Sequence, residues 1–163
     1  MSHGKPPRKP RWPAAVNTMD LVSRRVALVT PADLADVMEP LRAAFTALRQ
    51  GVATEWQWSV LASGMNCAQA IEKQGVVRQL ASHLHAAELA LQSIYNRAMA
   101  TGQWQATSLY YIELDAIDTA IDLHKFQLQQ LSTGEVIKAL DYAQAEVRSS
   151  GGRVMQQRDL LAA

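Results

Sequence analysis

Two apolar stripes separated by one short turn constrain this chain more than any other feature. Val77, Leu80, Leu84, Ala87, Leu91, Ile94 and Ala98 recur every three or four residues, the spacing that lays one side of an α-helix on a core. After "TGQWQATS" the same spacing resumes with Tyr110, Leu114, Ile117, Ile121, His124, Leu128 and Leu131. Helices over about 76–100 and 108–131, the second capped by Thr107 or Ser108, are therefore predicted to pair as an antiparallel hairpin. Its seam sets Leu80, Leu84, Leu91 and Ile94 against Ile117, Ile121 and Leu128.

Local signals place further helices on either side. "TPAD" offers Thr30 as cap, Pro31 at the first helical position and Asp33 at the third, where a carboxylate favours the helix dipole. Leu34, Met38, Leu41, Phe45 and Leu48 follow, and Gly51 stops the run; Pro40 inside it predicts a kink or break near Met38 and Glu39. Thr54 caps the next helix, with Trp56, Val60, Cys67 and Ile71 along one side and Gly75 after its end. Ser63, Gly64, Cys67 and Ala68 keep its middle thin, which suits a close helix neighbour. "STGE" reads as a capping box of Ser132 with Glu135, opening a last helix with Val136, Leu140, Ala143 and Val147 inward until "SSGG". Residues 17–29 fit a helix through Met19, Val22, Val26 and Val29, although "RRVALVT" also passes for a strand.

The expected architecture is all-α: a single-domain helical bundle of about five helices, built around the long antiparallel hairpin. A Pro-rich basic arm (1–16) precedes the bundle (17–150), and a tail (151–163) follows. At 163 residues the chain can bury roughly 70% of its unfolded surface, enough for one core without a disulfide or structural metal. Cys67 is the lone cysteine, which removes an internal disulfide and a multi-cysteine zinc site. No apolar run approaches the roughly 18 residues of a spanning helix, and "MSHGKPPRKPRWP" lacks a signal-peptide core, so a cytoplasmic, non-membrane protein is expected.

The formal net charge is +1, but Lys5, Arg8, Lys9 and Arg11 all lie in the arm, leaving 12 basic against 15 acidic residues in the rest of the chain. A globally basic nucleic-acid-binding surface is thus not supported. Weak nucleic-acid contact through the arm stays open, since Trp12 among those cations could stack on a base while Lys and Arg meet phosphates.

"YYIELDAIDTAIDLHKFQLQQL" has the density of acids that metal and acid/base sites need. At about 100° per residue, however, Asp115, Asp118 and Asp122 fall opposite Ile117 and Ile121 and read as a solvated face. Glu113 and His124 project toward the apolar side, so each needs a partner. Arg97 lies level with Glu113 across the hairpin, and His83 and Glu88 lie level with His124. Two satisfied structural groups are the expected outcome, with a His83, Glu88, His124 metal or ligand pocket as the alternative. The Glu-x-x-His repeat of di-iron bundles, the His-Glu-x-x-His run and the phosphate-binding glycine loop are all missing, and no cofactor is expected.

What remains are interaction candidates. Trp56 and Trp58 cannot both face the core, so one anchors it and the other covers an edge or a partner. Trp104 in the hairpin turn is expected to cap the end of the bundle, with an exposed anchor as the alternative. Trp58, Trp104, Trp12 and the arm cations Lys5, Arg8, Lys9 and Arg11 are the interaction candidates. Leu89, Tyr95 and Met99 lie off the main stripe, as in a surrounded helix or a homodimer interface. The short Ala-, Leu- and Gln-rich helical chain is similar in style to small accessory proteins of bacterial phages, plasmids and genomic islands, a resemblance that carries no specific residue. The reading is a non-catalytic protein-interaction or accessory module whose partner is another protein or a second copy.

Overall fold

Thr30 opens the first helix through two reciprocal bonds. Its hydroxyl accepts the Asp33 N–H at 3.2 Å, and the Asp33 carboxylate accepts the Thr30 N–H at 3.2 Å, which satisfies donors that a helix start leaves orphaned. The structure, a computed structural model, describes residues 22–23, 25–105 and 107–151. The arm with Lys5, Arg8, Lys9, Arg11 and Trp12, and the tail beyond Gly151, lie outside the described residues.

Helix α1 runs Pro31–Arg49 without interruption at Pro40. The expected break is absent because Pro40 sits on the exposed face, where the carbonyl that loses its amide partner is open to water. Helix α2, Glu55–Gln74, starts on a Thr54–Gln57 capping box and ends on Gly75 in the left-handed region at φ 77°. Its thin middle admits α1: a Cβ on Gly64 would run into the Leu41 side chain. The buried line on α2 is Leu61, Met65, Ala68 and Ile71. Trp56 and Val60, expected on that line, lie on its flank.

Helix α3 spans Ala81–Ala98 and helix α4 spans Tyr111–Gln130. Both start later than their stripes suggest, α3 because of a contact from the preceding helix and α4 because of a local cap. The Arg78 side chain folds back to donate to the Gly75 carbonyl at 2.9 Å, Gln79 takes φ 74°, and the Leu80 N–H donates to Glu72 Oε1 at 3.1 Å. A side chain from the preceding helix thus holds Leu80 at the threshold of α3, and residues 76–80 are a turn. In α4 the threshold is Tyr110, not Thr107 or Ser108, because the Tyr110 N–H donates to Glu113 at 3.1 Å.

The α3–α4 hairpin forms the most extensive helix contact in the fold. Leu84, Ile94, Ile117 and Ile121 are fully excluded from solvent, Leu91 and Leu128 nearly so, and Leu80 flanks them half-buried. α4 also packs on α1 and α2, and α2 on α1 and α3, so short connections set α1 to α4 as an antiparallel four-helix bundle.

Helix α5, Thr133–Ser149, follows the Ser132–Glu135 capping box and packs on the outside of α2. It buries only Ala139 and Ala143, while Leu140, expected inward, is 42% exposed. Small side chains let the helices approach along one edge and leave the larger ones on the flank.

The segment before α1 is both helix and strand-like. Residues 22–23 and 25–26 are helical. Leu28 then forms an isolated antiparallel bridge with Ser132, flanked by Val29 N–H to Leu131 O at 3.1 Å and Thr133 N–H to Ala27 O at 2.9 Å. Gly134 is required there, since a Cβ would stand 2.7 Å from the Arg25 carbonyl oxygen. Among the described residues there is no strand, and no helix is long and apolar enough to cross a membrane.

Candidate interaction surface

One end of the bundle collects the C-termini of α1 and α3 with the N-termini of α2 and α4. Three aromatic rings tie it together. Trp58 lies 4.6 Å from Tyr95 and 6.4 Å from Trp104 between centroids, and Tyr95 lies 6.3 Å from Trp104, the range of favourable tilted contacts. Both indoles are anchored by hydrogen bonds: Trp58 Nε1 donates to the Leu91 carbonyl at 2.9 Å, and Trp104 Nε1 to the Ala53 carbonyl at 2.8 Å. Trp104 thereby caps the bundle, and Trp58 fills its edge. The off-stripe Tyr95 belongs to the same cluster, whereas Leu89 stands alone at 57% exposure.

The turn into α4 is clamped by Arg97. Its guanidinium donates to both Glu113 oxygens, Nη1 to Oε1 at 2.8 Å and Nη2 to Oε2 at 2.6 Å, and also to the Ser108 carbonyl at 3.1 Å. Burial pushes the Glu113 carboxyl up, but the Arg97 fork and the Tyr110 N–H outweigh it and hold the group below the usual carboxylate range. The Arg97 guanidinium lies 4.9 Å from the Tyr110 ring centroid. The pairing of Glu113 with Arg97 follows directly from their level positions in the hairpin.

This clamped backbone presents three large side chains outward. Tyr110, Tyr111 and Ile112 are 57%, 82% and 76% exposed. Glu113, Ile117 and Ile121 fix the phase of α4, so Tyr111 and Ile112 must point away from the core. Val52, in the α1–α2 connection at the same end, is 65% exposed. Sequence reasoning placed Tyr110 inward and did not single out Tyr111, Ile112 or Val52. The available signal was the run "YYI" at a helix start, where three consecutive large residues cannot share one face.

The proposed His83, Glu88, His124 pocket is not assembled. His83 and Glu88 are exposed on α3, and Glu88 accepts from Gln69 and pairs with His85, each at 3.1 Å. His124 is 1% exposed and turns instead toward α2: its Nδ1 lies 3.3 Å from Gln127 Oε1, while Gln127 Nε2 donates to the Ala68 carbonyl at 3.1 Å. That amide bond leaves Oε1 as the acceptor, so the imidazole carries its proton on Nδ1. Burial, partly offset by the Gln127 bond, lowers His124 to about 4. Hairpin geometry alone named the wrong partner because α4 touches three helices and His124 faces the non-adjacent one.

Among the described residues no three His, Cys, Asp or Glu side chains converge as metal ligands. Cys67 is buried, and burial pushes its thiol up to about 11, far from the thiolate form a nucleophile needs. A cavity of about 10 Å³ beneath Trp104 holds at most one water. A cleft of about 190 Å³ between α2 and α3 is lined by Gln69, Glu72, Lys73, Ala81, Leu84, His85 and Glu88, smaller than ordinary ligand pockets.

The aspartate face is less purely solvated than the sequence implied. Arg42 of α1 reaches Asp118 at 2.9 Å and also pairs with Asp122, relieving the repulsion between two carboxylates one turn apart. Asp115 is exposed. All three Arg42-linked side chains keep substantial exposure, so Asp118→Ala is expected to change stability by no more than about 1 kcal/mol in a denaturant melt.

Comparison with known proteins supplies no relative: no family model matches the chain, and no curated protein and no solved structure matches it.

Proposed function

We propose that the chain is a protein-interaction module that binds through the end of its four-helix bundle. The observation that carries this reading is the exposure of Tyr110, Tyr111 and Ile112 at one end of the bundle, on a backbone clamped by Arg97 and Glu113. Removing an exposed aliphatic or aromatic side chain of this size from water yields roughly 1.5 to 3 kcal/mol, which a folded monomer forgoes. A rigid support makes the forgone energy available to a partner with little ordering cost.

A photo-crosslinking amino acid at position 111, with a control at the exposed Asp141 of α5, tests the reading in cells that naturally make the protein. Position 111 is expected to yield a discrete protein adduct and position 141 none. No adduct at 111, or the same adduct at both positions, would show that this end is not the binding surface.

A further inference from the structure

We infer that the partner at this end is a second copy of the chain, related by a two-fold axis. The inference rests on the interaction reading above and adds the identity of the partner.

Location comes first. The segment entering α1 lies beside residues 131–134, and Glu146 near the end of α5 bonds Lys73 at the C-terminal end of α2 at 2.8 Å. Both described chain ends therefore leave from the end of the bundle opposite Tyr110, Tyr111 and Ile112.

Size is the second argument. An aromatic side chain presents about 150 to 250 Å². At the exposures of Tyr110, Tyr111, Ile112 and Val52, the patch therefore amounts to something on the order of 400 to 500 Å². A standard interface takes about 800 Å² from each partner, of which roughly 56 to 65% is apolar. The apolar share of one such half-interface is what this patch supplies.

Charge is the third. Arg42 reaching Asp118 and Asp122 sets the register of α1 against α4. Two turns further along α1 is Arg49, and two turns back along α4 is the stretch 111–115. Arg49 and Asp115 therefore border the patch at one level. Both are exposed, and among the described residues neither makes an ion pair. The Arg49 guanidinium lies 6.0 Å from the Phe45 ring centroid and has no carboxylate partner, so a two-fold axis beside the patch sets Arg49 of each copy against Asp115 of the other. The net charge of +1 leaves little long-range repulsion between copies.

Sedimentation equilibrium of the full chain tests this. The wild-type mass is expected to rise with concentration from 17.9 kDa toward twice that value. Ile112→Glu and Tyr111→Lys should each stay monomeric and, at concentrations low enough to keep the wild type monomeric, melt as it does, which separates lost association from lost folding. Arg49→Glu should weaken pairing by about tenfold or more, and adding Asp115→Lys should restore it. A wild-type protein that remains monomeric across the range overturns the second-copy inference, and it leaves the interaction reading standing if position 111 still crosslinks to another protein. Dimers that survive Ile112→Glu and Tyr111→Lys undiminished overturn it as well, since pairing would then use another face.

Discussion

Leu84→Ala and Ile121→Ala are each expected to lower the stability of the fold by about 2 to 5 kcal/mol. Both side chains are fully excluded from solvent, and they face each other's helices in the α3–α4 seam. Truncation removes the transfer free energy of the lost methyl and methylene groups and leaves a cavity that rigid neighbours close only in part. Native domains hold roughly 5 to 15 kcal/mol in total, so either change takes a large share. Guanidinium melts with unchanged slopes and lower midpoints would check it. Losses near those expected for Asp118→Ala would mean that the hairpin seam is not the centre of the core.

The second large effect is a loss of stability in mild acid to which the buried His124 contributes most, the lowered carboxylates of Glu113, Asp33 and Glu135 adding theirs at lower pH. Its ordinary value of 6.5 falls to about 4 in the folded protein, because burial disfavours the cation and the Gln127 bond offsets only part of that. Between those values the unfolded chain binds a proton that the folded chain refuses, so unfolding is favoured as pH falls. The contribution is fully present above about pH 6.5 and lost progressively toward about pH 4, where the loss reaches about 3 kcal/mol. Melts of the wild type and of His124→Gln across this range isolate the effect. The variant is expected to show a much flatter profile, and equal slopes in both proteins would contradict a buried neutral imidazole.

These two residues also show what the sequence could and could not express. The seam was legible because an unbroken stripe fixes which side chains share a face, and a short turn fixes the partner helix. The caps at Thr30, Thr54 and Ser132 were legible because each is a contract among four consecutive residues. Arg97 and Glu113 were legible because hairpin level alone brings them together.

His124 was not, because its partner is Gln127 one turn on in the same helix, and nothing local says that the Gln127 amide reaches the Ala68 carbonyl of α2. The start of α3 was missed because its threshold is set by another helix, that of α4 because Tyr110 carries none of the usual capping side chains. Val77 and Leu80 keep the helical phase, but Glu72 from the preceding helix takes the Leu80 N–H, and Glu113 takes that of Tyr110. Arg42 was invisible as the partner of Asp118 and Asp122 until the packing of α1 against α4 was known.

The candidate surface was the least legible part. Attention to tryptophan pointed at Trp58 and Trp104, which are rare residues with high interface enrichment. Both spend their indole N–H groups inside the bundle, and they support the surface that Tyr110, Tyr111 and Ile112 form. Exposure is set by the phase of α4 and by the clamp on its first turn, and both depend on where the helix begins.

Amide hydrogen exchange at low and high protein concentration tests the central claim most directly, because it locates pairing on the chain without any substitution. The account predicts that exchange slows with concentration at residues 108–115 and 49–53 and stays constant in α5 and along the α2–α3 cleft. Slowing centred on α5 or on that cleft would place the interaction surface elsewhere on the bundle, and exchange independent of concentration throughout would contradict pairing with a second copy.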